Sequence, residues 1–255
     1  DRLRSRGLGD VYKRQVQVSA STYNLIKLAV YESKQNFGFN ALIGPVVKLW
    51  HIGFKGAHVP SDEQIKEKMS LTNPADVRLD DDNQTVFLTK KGMELDLGGI
   101  AKGYIADRIR DLWRAYDVRA GIINLGGNVL FVNSSPKRAS GEWILGVQDP
   151  KKKRGNNLTT ATVHECSAVT SGTYERFLEI NGKKYHHIID PKTGYPVKTH
   201  VAGVTLFTRD SVQAEIECKR LFFAGGPIPG WKNDKAGRYG AIFVYDDDST
   251  ERIGV

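Results

Sequence analysis

Apolar side chains recur at helical spacing from Thr22 to Phe37, and Gly38 closes the pattern. An apolar stretch from Phe39 to Phe54 follows, punctuated by Gly44-Pro45. Ser61 with Gln64 forms a capping-box signature and predicts a short helix over Ser61–Met69. Val77-Arg78-Leu79 and Thr85–Leu88 flank Asp80-Asp81-Asp82-Asn83, which predicts a hairpin. From Leu95 the pattern becomes strand, glycine turn, then helix, with Ile100, Ile105, Ile109, Leu112, Trp113 and Tyr116 assigned to one face. Gly121–Val132, Trp143–Val147, Lys184–Ile189 and Val201–Phe207 read as strands. A last helix starts at Asp210, with Gln213 as its capping-box partner, and runs to Phe223 before Gly225-Gly226. Strands and helices are both prominent without regular βαβ alternation, so the class is α+β. Neither an internal repeat nor a low-complexity linker interrupts the chain, which favours one continuous domain.

Composition sets bounds on this picture. The chain has 255 residues, 40% of them apolar, only two cysteines, and a formal charge of +8. Collagen-like, disordered and disulfide-scaffold classes are excluded. Cys166 and Cys218 fit neither a metal spacing nor a redox pair. No apolar run reaches the roughly 18 residues that a membrane-spanning helix needs.

The charge invites a nucleic-acid reading, and its location argues against one. Residues 1–15 carry five basic and two acidic side chains, leaving +5 for the rest. That segment has no structural period, no signal-peptide core and no initiating Met, and it reads as a non-native leader. The native domain is then 16–255, truncated at its N-terminus. Lys151-Lys152-Lys153-Arg154 contributes another four positive charges and reads as a solvated loop between strands. Neither stretch interleaves aromatic residues with basic ones, as a single-strand binding surface would.

Four segments could carry chemistry. In Asp96-Leu97-Gly98-Gly99-Ile100-Ala101-Lys102-Gly103, the glycines allow close approach of a ligand, and the following helix offers free N–H groups. Lys102 falls in the first helical turn, where the helix dipole disfavours a cation. A bound anion such as a pyrophosphate would explain it; an exposed lysine at a plain helix start is the alternative. Asn124-Leu125-Gly126-Gly127-Asn128 holds a second glycine pair, consistent with a bulge or tight packing. Thr170-Ser171-Gly172-Thr173-Tyr174-Glu175-Arg176 concentrates hydroxyls beside a glycine. Ser171 as a nucleophile with His187 and Asp190 is conceivable, but ligand hydrogen bonding suits the cluster equally. In His186-His187-Ile188-Ile189-Asp190-Pro191, adjacent strand histidines point to opposite faces, so one of them can enter a given site. The acidic clusters Asp80–Asn83 and Asp246–Asp248 read as turns, since a calcium loop would need a glycine and a later glutamate.

Together these segments resemble the FAD:protein FMN transferase family, also called the ApbE or flavin transferase family. The resemblance runs from about Phe37 to Gly226. It rests on Gly44–Trp50, the Asp96–Gly103 turn with Tyr104 and Asp107, Asn124–Asn128, Thr170–Arg176 and His187–Pro196. It implies a single ApbE-like, T-fold-related domain of mainly antiparallel sheets with flanking helices. It also implies an activity: FMN moves from FAD to a threonine hydroxyl of an acceptor protein, and AMP is released. By position, Phe39 and Asn40 would line the flavin site, although the family more often has Asp where Asn40 stands. Asp96, Lys102 and Ile189 would contact FAD, Thr170 and Ser171 would hydrogen-bond within the site, and His187 would be the catalytic acid/base. Two rival functions need the same site: an FAD-binding protein without catalysis, and a pyrophosphatase that splits FAD into FMN and AMP. The resemblance further implies an extracytoplasmic location at the cell envelope. No nucleic-acid partner is expected.

The implied Mg²⁺ site is where this sequence departs. The family holds the ion with a backbone carbonyl at Gly99, an aspartate at the position of Glu215 and a threonine at the position of Lys219. Glutamate can ligate Mg²⁺, but an ammonium group has no lone pair to offer. Glu215 and Lys219 could be an ordinary i,i+4 pair worth about 0.3–0.5 kcal/mol. Alternatively, Lys219 could supply positive charge to the pyrophosphate in place of the metal.

Overall fold

A computed structural model describes residues 15–153 and 155–255. The first half contains β1 (Val16–Gln17), α1 (Ala20–Lys34), α2 (Gly44–Trp50), α3 (Asp62–Met69), β2 (Val77–Asp80), β3 (Thr85–Leu88) and α4 (Ala101–Ala115). Next come β4 (Gly121–Leu125), β5 (Asn128–Val132), β6 (Trp143–Gln148), β7 (Asn157–Val163), β8 (Ser167–Gly172), β9 (Phe177–Ile180) and β10 (Lys183–His186). β11 (Val201–Thr208), α5 (Ser211–Ala224), β12 (Arg238–Tyr245) and β13 (Thr250–Ile253) complete the order. The proposed leader, residues 1–15, lies almost wholly outside the described residues. The mixture confirms the α+β class, and all strand pairs of these sheets are antiparallel.

The chain divides into two units, one running to Gly99 together with Arg176–Val197, the other holding Ile100–Glu175 and Lys198–Val255. In the first unit, α3 begins with the expected capping box, Ser61 and Gln64 bonding each other's backbone N–H. The β2–β3 turn closes on Asp80, whose carboxylate accepts from the N–H groups of Asp82 and Asn83 and from the Asn83 amide. β1, β3 and β2 form a small sheet, and β9 pairs with β10. Val46, Trp50, Ile52, Ile65 and Ile189 make one buried cluster of this unit.

The second unit is built on a six-stranded sheet in the order β13-β12-β11-β8-β5-β4. On one face Ala106 of α4 packs against Ile123, Leu130 and Val132. On the other, Phe131, Ala168, Phe207, Ile242 and Val244 pack with Val147, Ala161 and Val163 from the separate β6–β7 hairpin. β11 lies at the centre and all eight of its residues are buried, as expected of a strand covered on both faces. Lys151 and Lys152 stand in the β6–β7 loop, paired with Asp248 and Asp149, which is the solvated loop expected of that basic run.

Three expectations need correction. Gly121–Val132 is not one strand but a hairpin, turned at Gly126 and Gly127, whose φ values of +64° and +93° only glycine adopts freely. The α4 face is only half as expected: Ile100 is buried and Ile109 and Trp113 pack on the sheet, but Ile105, Leu112 and Tyr116 are exposed, Tyr116 at 75%, while Gly103, Ala106, Asp107 and Arg110 are buried. Gly103 lets α5 approach α4 closely at Ser211 and Val212, where a side chain would not fit. Finally, Asp210 precedes α5 but makes no side-chain cap. Asp107 of α4 supplies the carboxylate instead, accepting from Ser211 N at 2.8 Å and Val212 N at 2.9 Å.

Candidate functional site

The predicted site residues fall into two groups, one in each unit. In the first unit, Asp96 N donates to Ala41 O at 2.7 Å, so the segments around Asn40 and Asp96 run side by side. A Cβ on Gly44 would stand 3.3 Å from Glu94 and 3.6 Å from Asp96, so Gly44 keeps this approach close. One Asp96 oxygen accepts from Gly98 N at 2.8 Å and shapes the glycine turn that leads into α4. Asn40 bridges two backbones: its amide nitrogen donates to Thr72 O and its oxygen accepts from Leu42 N, both at 2.8 Å. A carboxylate could not make the first bond, which is a structural reason for Asn at this position. Phe39 is buried.

The two histidines differ in what their rings hold. His186 Nε2 lies 2.9 Å from Val197 O, and Nδ1 accepts from Ile188 N. A carbonyl can only accept, so Nε2 carries the proton and both nitrogens are tied to backbone. His187 stands just past β10, with Nδ1 3.2 Å from Arg176 O. The same logic puts a proton on Nδ1. Ile189 commits its side chain to the core beside Trp50, and its backbone bridges to Pro196. The Trp50 indole donates to Gly194 O at 2.8 Å and anchors the turn that begins at Asp190.

In the second unit, Lys102 occupies the first turn of α4, and its ammonium lies 3.5 Å from Glu215 Oε1 on α5. The Asn128 amide nitrogen donates to the same oxygen at 3.0 Å, and Ser211 Oγ donates to Asn128 Oδ1 at 2.7 Å. Lys219 Nζ sits 3.0 Å from Glu215 O and 3.4 Å from Oε2. The Glu215 side chain is only 4% exposed, against 42% for Lys102 and 19% for Lys219. Gly103 makes this pairing of helices possible, because a Cβ there would lie 2.3 Å from Ser211 O. Asp107, buried beneath, has its carboxyl pushed up by desolvation; its bonds from Ser211 and Val212 and the Arg110 guanidinium at 3.3 Å oppose that shift.

Thr170 and Ser171 are not brought to one face, since successive residues of β8 alternate. Thr170 Oγ1 bonds Thr205 Oγ1 of β11 at 2.8 Å. Ser171 instead meets the Cys218 thiol of α5, whose burial pushes its pKa up to about 11.

The donors around Glu215 do not suit a divalent cation. Mg²⁺ requires oxygen ligands in near-octahedral array. Here both carboxylate oxygens face donor groups, two of them ammoniums, and Lys219 offers no lone pair. Among the described residues, no group of three or more His, Cys, Asp or Glu side chains could hold a metal ion. Gly99, the third position of the implied metal set, immediately precedes Ile100 at the start of α4.

The ApbE family model matches residues 7–242, most of the chain and all the segments above. The chain belongs to the ApbE family. Among its relatives is a protein of Klebsiella pneumoniae (strain 342) named FAD:protein FMN transferase, 44% identical over 214 residues and covering 84% of this chain. One of the same name from Treponema pallidum (strain Nichols) is 38% identical over 222 residues and covers 82%. The chain spans 65% and 61% of those relatives' own lengths. The crystal structure of the ApbE protein of Thermotoga maritima matches with a TM-score of 0.83 at 31% identity, covering 96% of this chain and 79% of that one. Apo flavinyl transferase ApbE of Pseudomonas stutzeri matches in fold, with a TM-score of 0.74 at 22% identity over 94% and 74% of the two chains.

Asn128, Asp107, Arg110 and Ser211 are the residues that the sequence did not reveal in their roles. Asn128 and Asp107 lay within the marker segments. What each one holds depends on α5, which lies 87 and 104 residues away.

Proposed function

We propose that this ApbE-family chain transfers FMN from FAD to a threonine hydroxyl of an acceptor protein and releases AMP. The carrying observation is Lys102: a half-exposed ammonium in the first turn of α4 whose partner Glu215, 3.5 Å away, is shared with Lys219, so that one positive charge is left for an anion beside the helix N-terminus. The names of the relatives support FAD and an acceptor protein as partners.

In this reaction the acceptor threonine oxygen attacks the phosphorus on the FMN side of the pyrophosphate. A new P–O ester bond forms as the P–O bond to AMP breaks, and AMP leaves with the electron pair. His187 takes the hydroxyl proton on Nε2, a role supported by the proton assigned to Nδ1. Lys102 steadies charge on the pyrophosphate. Asp96 and the backbone at Ile189 position FAD, and Phe39 and Asn40 shape the flavin end; Thr170 and Ser171, on opposite faces of β8, cannot both serve the site. The reading treats residues 16–255 as one transferase domain and places the protein outside the cytoplasm at the cell envelope. Among the described residues, no helix is long and apolar enough to cross a membrane.

FAD binding without turnover is a second reading, favoured by the Glu215–Lys219 pair where the family's metal ligands are expected. One experiment separates these readings. The protein is incubated with FAD and a threonine-bearing acceptor, and covalent FMN is sought by in-gel fluorescence. A labelled acceptor supports transfer, bound but intact FAD supports the carrier, and free FMN without label supports a pyrophosphatase.

A further inference from the structure

We infer that the Lys102–Glu215–Lys219 cluster is a metal-free diphosphate site, in which the Lys219 ammonium takes the place of a divalent cation. The inference rests on the FAD reading for its physiological ligand, but its physical basis is independent of that reading. Glu215 is buried and its two oxygens divide between two ammoniums: Lys102 lies 3.5 Å from Oε1 and Lys219 lies 3.4 Å from Oε2. Asn128 fixes the carboxylate by donating to Oε1, and Ser211 fixes Asn128 in turn. The carboxylate is therefore an orienting group between two cations rather than an open ligand.

Formal charges sum to +1 for the three side chains, so the cluster has excess positive charge with Lys102 at its exposed end. A metal ion entering here would have to displace an ammonium held at 3.0 Å by the Glu215 carbonyl and meet the repulsion of both lysines. A diphosphate meets the opposite situation. Its oxygens can accept from ammonium groups that have donors to spare, beside the free N–H groups of the first turn of α4. The anion's charge then balances the excess that Glu215 leaves.

The test titrates Mn²⁺, as a spectroscopic substitute for Mg²⁺, into the wild-type chain and follows free Mn²⁺ by electron paramagnetic resonance. In parallel, inorganic pyrophosphate and FAD are titrated with Mn²⁺ or with chelator. Wild type should leave Mn²⁺ free, and its affinity for either anion should change less than about twofold on chelation. Lys219→Thr should bind Mn²⁺ stoichiometrically and become at least about tenfold dependent on it for pyrophosphate binding. Lys219→Arg, which keeps the charge, should remain indifferent to the metal. Stoichiometric Mn²⁺ binding by wild type that Glu215→Gln abolishes would overturn the inference, as would pyrophosphate binding only when Mn²⁺ is present. These wild-type measurements decide the matter even if Lys219→Thr does not fold. Failure to bind FAD under any condition would overturn the FAD reading alone, because the Mn²⁺ and pyrophosphate arms judge the site without it.

Discussion

Replacing Gly103 with alanine sets two forces of opposite sign against each other. In an open helix the added methyl is favourable by about 1 kcal/mol. Here it would stand 2.3 Å from Ser211 O and 2.7 Å from Val212 Cα. Both are backbone atoms of the first turn of α5, and the Asp107 carboxylate holds that turn in place. No side-chain rotation can relieve the contact, so the helices must separate. Overpacking of this kind costs about 1–3 kcal/mol, and a backbone clash belongs at the upper end. The net effect is a destabilisation of about 2 kcal/mol, or a Tm lower by roughly 4–8 °C for a chain of this size. Separation would also lengthen the 3.5 Å contact between Lys102 and Glu215 and weaken anion binding. Urea unfolding gives the stability change, and a pyrophosphate titration of the folded variant gives the second effect. A variant as stable as wild type, or more stable, would refute the close packing of α4 on α5 and the pairing of lysines built on it.

Asp107→Ala removes the acceptor of two α5 N–H groups and one partner of buried Arg110, so unfolding free energy should fall by about 2–3 kcal/mol in urea titrations. The histidines should separate cleanly. His187→Ala should lower FMN transfer at least about 100-fold while FAD binding persists, whereas His186→Ala should cost about 1–2 kcal/mol of stability and leave transfer by the folded protein intact. Burial pushes the thiol pKa up to about 12 for Cys166 and about 11 for Cys218. A raised pKa in the folded state means the native protein holds protons that the unfolded chain releases. This contribution to stability is therefore full below the unfolded thiol pKa of about 8.5 and is lost as pH rises through the folded values. Both thiols should resist a disulfide reagent at pH 8 until denaturant is added; rapid reaction in the native state would contradict their burial.

Elements governed by local chemistry were legible in the sequence. Ser61 with Gln64 starts α3, and Asp80 turns the β2–β3 hairpin, because each uses bonds within four residues. The place of Lys102 in the first turn of α4 was legible too, but its pairing with Glu215 of α5 was not. The face of α4 was half legible: apolar periodicity picks out Ile100, Ile109 and Trp113, which do pack, but also Ile105 and Tyr116, which are exposed, and it misses the buried Gly103 and Asp107. Gly103 and Asp107 are buried by α5, which arrives more than a hundred residues later. The cap of α5 was misassigned for the same cause: Asp210 has the right residue type, but it turns to Arg110 and leaves the helix N–H groups to Asp107. Thr170 and Ser171 read as one hydroxyl cluster in sequence, yet strand alternation sends them to different partners.

The proposed activity is most directly tested by mass spectrometry of a threonine-bearing acceptor after incubation with FAD and this chain. The reaction predicts FMN esterified to a threonine oxygen, with one AMP released for each label and no label from a His187→Ala chain. An unmodified acceptor beside intact FAD, or FMN and AMP free in solution without label, would contradict it.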